Sequence, residues 1–174
     1  ELMRRIQAKT TLESGTVIVA EMQQAGRGRR GRVWQSPFGA NLYYSYFWRL
    51  DDGLQAAMGV SIAVGLAVYD AIKALYQVDV ELKWPNDIYI NKQKLAGVLV
   101  ELDGQPQGPC QLVIGIGINL QMPESFSQHI DQAWTDLNQH TQKLDKNQLV
   151  ASLTHHLEQR LAQYRQTGLQ AMYE

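Results

Sequence analysis

The stretch QQAGRGRRGRVW at residues 23–34 organises the rest of the chain. Its glycines, at positions 26, 28 and 31, let the backbone turn through positive φ and come close to a ligand. Successive N–H groups in such a loop form an anion-binding concavity, and the arginines add fork-shaped donors for carboxylate or phosphate. Trp34 offers a flat face for a ring or a cation. The loop favours a small bound anion, with a solvated basic loop or a nucleic-acid segment as the alternatives.

The composition around this loop is that of one globular domain. The chain has 174 residues, of which 45% are hydrophobic and 19% charged, and its net charge is −1. This balance argues against a dedicated nucleic-acid binder. Cys110 is the only cysteine, which excludes an internal disulfide and favours a reducing compartment, the cytoplasm. The longest apolar run, residues 56–69, is shorter than the roughly 20 residues of a membrane span, so no membrane partner is predicted.

Hydrophobic patterning predicts strands interleaved with helices. The predicted strands are residues 16–21 (TVIVAE), 41–48 (NLYYSYFW), 78–84 (VDVELKW), 88–90 (IYI), 93–102 (QKLAGVLVEL) and 111–120 (QLVIGIGINL), with a hairpin turn at Asn91-Lys92. Turns or loops are predicted at residues 51–53 and 104–109. The pattern indicates an α+β domain with a mixed β-sheet and helices packed on it.

Helices are predicted at residues 1–6, at 54–76 and after a capping box at residues 145–148. The second helix has the predicted core stripe Met58, Ile62, Leu66, Tyr69 and Ile72, and the last has Leu149, Leu153, Leu157, Leu161 and Tyr164. The polar residues 122–144 fit no element.

Three further clusters contain residues that could take part in binding or catalysis. In Lys83-Trp84-Pro85-Asn86-Asp87, the last two side chains are hard oxygen donors of the kind that Mg²⁺ accepts, or an ordinary turn whose side chains bond their own backbone. In Lys94-Leu95-Ala96-Gly97, the ammonium group could neutralise charge at a reacting phosphate, or simply face solvent.

The last cluster is Gly115-Ile116-Gly117-Ile118-Asn119. Glycines two apart in a strand clear one face of the sheet for a flat ligand, or for a neighbouring aromatic side chain. The run lacks the third glycine of a dinucleotide fingerprint. The sequence also lacks zinc-ligand spacing, a Gly-x-Ser-x-Gly elbow and a Walker-type loop.

These four clusters, in this order, resemble the catalytic domain of bacterial biotin protein ligases. The resemblance covers the whole chain and is strongest over residues 20–120. It implies an α+β fold of the class II aminoacyl-tRNA synthetase-like type. It also implies a ligase that uses ATP and Mg²⁺ to convert biotin to biotinyl-5′-AMP, and then transfers biotin to a lysine of the biotin carboxyl carrier protein, a subunit of acetyl-CoA carboxylase.

The residues suit that chemistry. The first step brings a carboxylate against a phosphate, and two anions about 4 Å apart repel by about 4 kcal/mol at an effective dielectric of about 20. Clustered arginine and lysine with Mg²⁺ would offset this repulsion. The adenylate is a reactive mixed anhydride, so a loop that closes over it would also exclude water.

The resemblance assigns a role to each matching residue. Lys94 and Arg29 are the predicted catalytic residues. The predicted biotin-binding residues are Gln23, Gly26, Arg27, Gly28, Arg29, Lys94, Gly115 and Gly117. The predicted ATP-binding residues are Arg32, Trp34, Lys94 and Asn119, and the predicted metal ligands are Asn86 and Asp87.

The sequence also departs from the family pattern. The Ser-Thr-Asn segment expected before Glu1 and the small β-barrel expected after Glu174 are absent, as is a helix-turn-helix. Residues 1–174 are therefore interpreted as a catalytic domain truncated at both ends, expected to bind biotin or ATP weakly. A homodimer is an open alternative, and DNA binding is expected only of a longer form with a helix-turn-helix.

Other interpretations of the function remain. A lipoate ligase or octanoyltransferase shares the fold and the acyl chemistry. A nucleic-acid-binding module would use the Gly/Arg loop directly and bind in a salt-sensitive way. A regulatory domain without catalysis is the third alternative, against which the intact Lys94 argues.

Overall fold

A computed structural model describes residues 1–9, 11–51, 53–104 and 108–170. Position 52 of the predicted turn and positions 105–107 of the predicted loop lie outside these ranges. The strands form one six-stranded sheet in the order β1-β2-β6-β5-β4-β3. They are β1 (Val17–Ala20), β2 (Asn41–Leu50), β3 (Glu81–Lys83), β4 (Asp87–Ile90), β5 (Gln93–Gly104) and β6 (Cys110–Asn119). The helices are α1 (Leu2–Gln7), α2 (Val60–Tyr76) and α3 (Lys146–Thr167).

The predicted α+β class is confirmed. Each pairing between these strands is antiparallel. Within the described residues, the mixed character of the sheet rests on an isolated parallel bridge between Lys94 and Trp134.

The two faces of the sheet are covered differently. On one face, α2 and α3 pack over the large side chains of the central strands, including Tyr44, Ile114 and Ile116. On the other face, α1 packs on Phe47 and Val113, with Ile18 at the edge of this cluster. Beyond α1, the next two β6 positions on that face are Gly115 and Gly117, so a cleft forms there.

The predicted helix at residues 54–76 is interrupted. Leu54–Ala57 forms a 3-10 turn, and α2 begins only at Val60 because Gly59 is left-handed, with φ 92°. A side chain at Gly59 would collide with Leu169. The predicted core stripe is wrong in part, since Met58 is 66% exposed.

The buried face of α2 carries mostly small residues, which allow close packing on α3 and the sheet. Its fully buried members are Ala63, Val64, Ala67, Val68, Ala71 and Ile72. Ile62, Leu66 and Tyr69 lie at the edge of the core, half-buried. By length and composition alone Leu54–Tyr76 could cross a membrane, yet it packs against α3 and β5 as a core helix does.

The strand predicted at residues 78–84 is also shorter than expected. β3 pairs only with β4, and its first residue, Glu81, lies opposite Tyr89. The hairpin turn at Asn91-Lys92 follows almost at once, so little strand remains for residues 78–80 to pair with. Both turn residues have positive φ, 49° and 64°, which confirms the predicted tight turn.

The last helix is confirmed. The Asp145 side chain accepts hydrogen bonds from the N–H groups of Asn147 and Gln148, and Gly168 ends the helix. The predicted stripe is buried throughout: Leu149, Leu153, Leu157, Leu161 and Tyr164.

Candidate active site

The cleft lies on the glycine face of β5 and β6 and has a volume of about 430 Å³. Successive rungs of its floor pair Gly97 with Gly117 and Leu99 with Gly115. The cleft brings together most of the sequence-predicted residues: Gln23, Arg27, Gly28, Arg29, Arg32, Trp34, Asn86, Asp87, Lys94, Gly115 and Gly117. Gly26 and Asn119 are not among the residues that line it.

The Gly/Arg loop folds back on itself over the cleft. The Gly28 N–H donates to the Arg32 carbonyl at 2.7 Å, and the Trp34 N–H donates to the Gly26 carbonyl at 2.9 Å. The turn between them requires left-handed backbone at Arg30, with φ 57°. The loop is therefore a small hairpin rather than an open segment.

Gly26 holds the base of this hairpin together. A Cβ there would lie 2.5 Å from Ser36 Oγ and would collide with the Trp34 carbonyl oxygen. Ser36, which sequence reasoning missed, is buried, and its Oγ lies 3.0 Å from Gln23 Oε1. The need for glycine at position 26 is thus explained by close packing within the loop.

Trp34 lies flat against one end of the floor. A Cβ at Gly117 would lie 2.7 Å from the indole Nε1, and a Cβ at Gly97 would lie 3.2 Å from its Cζ3. The Trp34 Nε1 group is buried and makes no hydrogen bond within the described residues. A Cβ at Gly115 would have the Leu99 carbonyl oxygen as its nearest neighbour, at an ordinary 3.4 Å. One glycine rung is therefore filled by an aromatic ring, while the other has room.

Lys94 is a fixed cation at the wall of the cleft. Its Nζ lies 2.8 Å from Asp87 Oδ1 and 5.4 Å from the Trp34 ring centroid, and its side chain is 13% exposed. The Lys94 backbone is held from both sides, since its N–H donates to Ala133 and its carbonyl accepts from Thr135. The ammonium group therefore occupies a defined position beside the floor.

Arg29 reaches across the cleft to the turn before β4. Its Nη1 donates to Asn86 Oδ1 at 2.7 Å. The Asn86 Nδ2 group in turn bonds the Val98 carbonyl and Asp87 Oδ1, both at 3.2 Å. These bonds fix the turn and connect Arg29 to Lys94 through Asn86 and Asp87.

The predicted metal ligands do not form a ready-made magnesium site. Asn86 Oδ1 accepts from Arg29, and Asp87 Oδ1 is bound by Lys94. Mg²⁺ needs oxygen donors in near-octahedral order, and those two oxygens are already bound by cationic groups. Among the described residues, no group of three or more His, Cys, Asp or Glu could hold a metal ion. The metal role of Asn86 and Asp87 stays a prediction without geometric support.

Arg27 and Asn119 are held differently from what a purely ligand-binding role would suggest. Arg27 Nη2 bonds Glu101 Oε2 at 2.9 Å. Asn119 is 5% exposed, and its Nδ2 donates to the Thr135 carbonyl at 3.0 Å. The nucleotide role of Asn119 therefore stays a prediction, while its observed bond is structural. Sequence reasoning assigned no role to Glu101, although a period of two from Gly97 puts it on the cleft face.

Comparison with known proteins gives this cleft a context. The Biotin/lipoate A/B protein ligase family matches residues 4–119. The bifunctional ligase/repressor BirA of Escherichia coli is 47% identical over 158 residues, which are 91% of this chain and 49% of that protein. The biotin–[acetyl-CoA-carboxylase] ligase of Mycobacterium tuberculosis is 37% identical over 161 residues, 90% of this chain and 58% of that protein. The chain thus spans about half the length of the curated relatives it matches.

Solved structures of similar fold carry informative ligands. The biotin protein ligase of Aquifex aeolicus with biotin and ATP superposes with a TM-score of 0.76 at 30% identity, covering 92% of this chain and 66% of that one. The biotin protein ligase of Leishmania major with biotinyl-5-AMP gives 0.71 at 25% identity, covering 94% and 75%.

Proposed function

The chain belongs to the biotin/lipoate A/B protein ligase family, and we propose that its cleft converts biotin and ATP to biotinyl-5′-AMP and then biotinylates a lysine of the biotin carboxyl carrier protein. One observation carries the proposal: Lys94 and Arg29 converge on a glycine-floored cleft beneath the Gly/Arg hairpin. That arrangement suits a reaction in which two anions must meet in a site closed to water.

In the first step, a carboxylate oxygen of biotin attacks the α-phosphorus of ATP. A new P–O bond forms and the bond to pyrophosphate breaks, so negative charge passes to the leaving group. The Lys94 ammonium, fixed beside the floor, stabilises the charge between the carboxylate and the α-phosphate. Arg29 adds a planar guanidinium at the same point, and removing one such electrostatic donor commonly costs about 10²–10³ in rate.

The floor and the hairpin divide the two substrates. Biotin is assigned to the open rung at Gly115, with Gly117 next to it and with Gln23, Gly26, Arg27 and Gly28 from the hairpin. The adenine is assigned to Trp34, and the phosphates to Arg32 and Lys94. Asn119 is assigned an indirect role in nucleotide binding, because it holds the end of β6 through its bond to the Thr135 carbonyl.

Magnesium enters as the companion of ATP. Asn86 Oδ1 and Asp87 Oδ1 already bind Arg29 and Lys94, so these two oxygens are not free for a metal ion. Any such ion is expected to be bound mainly by the nucleotide phosphates.

In the second step, the neutral amine of the acceptor lysine attacks the acyl carbon of the adenylate. The amide bond forms, the bond to AMP breaks, and the amine loses a proton. The hairpin must keep water out until the acceptor arrives, because water attacks the same carbon. The acceptor is proposed from the names of the relatives, as is DNA binding by a longer form with a helix-turn-helix. The cytoplasmic location is proposed from the single cysteine of the sequence. A homodimer is equally a proposal.

The test is adenylate formation by this chain with biotin, ATP and Mg²⁺, with lipoate as the competing acid. Because the sequence predicts weak binding of biotin and ATP, we expect slow release of pyrophosphate that depends on biotin and is not supported by lipoate. Pyrophosphate release with lipoate in place of biotin would move the assignment to the lipoate branch of the family. Strong, salt-sensitive RNA binding without either activity would favour a nucleic-acid role instead.

A further inference from the structure

A long-range ion pair ties the Gly/Arg hairpin to the floor of the cleft. Arg27 Nη2 lies 2.9 Å from Glu101 Oε2, and the two residues are 74 positions apart in the sequence. Glu101 stands opposite Val113, one rung beyond the open rung of Leu99 and Gly115. The pair therefore lies at the end of the cleft nearest α1.

A second tether lies elsewhere on the hairpin. Arg29 Nη1 bonds Asn86 Oδ1 in the turn before β4. The hairpin is thus held to β5 through Arg27 and to the turn before β4 through Arg29. Loss of one tether would loosen the hairpin without releasing it.

The exposure of the ion pair indicates which equilibrium it can change, the unfolding of the whole protein or the local opening of the hairpin. The Arg27 side chain is 64% exposed and that of Glu101 is 26% exposed. An exposed pair of this kind changes an equilibrium by about two- to five-fold, which is small for the fold as a whole. Opening of a surface hairpin is a local equilibrium with a low free-energy cost, so the same factor matters there.

We infer that Glu101 is a positioning residue whose carboxylate holds Arg27 and so latches the hairpin of residues 23–34 over the cleft. The Arg27 guanidinium then acts mainly through the hairpin. The consequence for catalysis rests on the proposed function: a looser latch lets the reactive adenylate escape sooner.

The latch can be tested without any ligand by limited trypsin digestion, since the hairpin itself contains arginines. Cleavage of a transiently open segment follows the population of its open form. We expect Glu101→Gln to raise the rate of cleavage after Arg29 and Arg32 about two- to five-fold, as read by mass spectrometry. Asp103→Asn is the matched control, because Asp103 lies on the same strand and makes no ion pair in the part of the chain that the structure describes.

Two results would overturn the inference. One is an unchanged cleavage rate in Glu101→Gln. The other is an equal rise in Asp103→Asn, which would report the loss of negative charge in general. If Glu101→Gln also lowers the urea midpoint, Arg27→Gln is used instead, because it removes the same ion pair at its more exposed residue. The double variant should then be cleaved no faster than the faster single variant, and additive effects would contradict a shared pair.

A second measurement follows the adenylate itself. With biotin and ATP, Glu101→Gln should release biotinyl-5′-AMP to a hydroxylamine trap about two- to five-fold faster, with little change in the rate of its formation. Equal release rates would contradict the catalytic consequence. If the unmodified chain forms no adenylate, the proposed function fails, while the digestion result still decides whether the latch exists.

Discussion

Three consecutive residues of β6 show how one strand serves two purposes. Ile116 points to the helix face and is 2% exposed, within the core formed with α2 and α3. Gly115 and Gly117 point to the other face and form the cleft floor. The alternation of a strand thus separates residues that stabilise the fold from residues that shape the site. Substitutions on the helix face should change the free energy of unfolding. Those on the cleft face should change ligand binding and turnover, except at Gly117, where Trp34 packs on the floor.

The largest effect is expected on the cleft face. Lys94→Met keeps most of the side-chain volume but removes the ammonium group, so adenylate formation should fall about 10²–10³-fold. The measurement is biotin-dependent pyrophosphate release. Lys92→Met, in the hairpin turn two residues earlier, is the control and should retain full activity. Normal turnover by Lys94→Met would contradict the assignment of the reaction to the cleft face.

The next effect belongs to the helix face. Ile116→Ala should lower the free energy of unfolding by about 2–5 kcal/mol, because a cavity remains in a packed core. Urea denaturation measures this loss. Ile116→Val should cost only about 0.5–1.5 kcal/mol. Biotin affinity of the folded fraction should stay near normal in both, and a large loss of affinity would show that the faces are coupled.

The two glycines of the floor give a matched pair. Gly117→Ala puts a Cβ 2.7 Å from the Trp34 ring, so the ring must move, at a cost of about 1–3 kcal/mol. Gly115→Ala meets nothing closer than 3.4 Å and should leave the unfolding free energy within about 0.5 kcal/mol. If biotin occupies that rung, Gly115→Ala should still weaken biotin binding about tenfold.

Trypsin cleavage of the hairpin and calorimetric titration with biotin distinguish these two outcomes. Faster cleavage is expected only in Gly117→Ala. An equal response of both variants would mean that Trp34 does not distinguish the two rungs.

The smallest effect concerns pH. Burial raises the pKa of Tyr44, on the helix face, and of Tyr43, on the other face, to about 12. An unfolded tyrosine ionises near pH 10, so each contributes stability that is full below about pH 10 and is lost as the pH rises toward 12. The urea midpoint should therefore fall between about pH 10 and pH 12, and Tyr44→Phe should reduce that fall. Parallel decline of the variant and the unmodified chain would contradict the assignment to Tyr44.

Much of the fold followed from local pattern. The hairpin turn at Asn91-Lys92, the capped last helix and the glycine face of β6 each have a signal within a few residues. The start of α2 did not, because Gly59 is left-handed and its missing side chain leaves room for Leu169, a residue more than a hundred positions away. The length of β3 likewise depends on how little of β4 is present to pair with it.

The candidate site was likewise only partly predictable from the sequence. The residue types of the cleft could be predicted from the four clusters, and the structure brings most of them together. Their pairings could not, since the bonds of Arg27 with Glu101 and of Arg29 with Asn86 join distant segments. The second interpretation of the β6 glycines, a neighbouring aromatic ring, describes Gly117, against which Trp34 packs.

The two hydrogen bonds that hold the Lys94 backbone have a consequence for engineering. The lysine backbone is bonded on either side to Ala133 and Thr135, within a region that the sequence left unassigned. Because both bonds are made by backbone groups, a chimera that exchanges residues 122–144 with those of a relative should keep Lys94 in place only if residues 133–135 keep their backbone path. If β4 and β5 were transplanted into another scaffold without residues 133–135, the Lys94 backbone would lose these two hydrogen bonds. A graft should therefore include residues 133–135 together with β4 and β5.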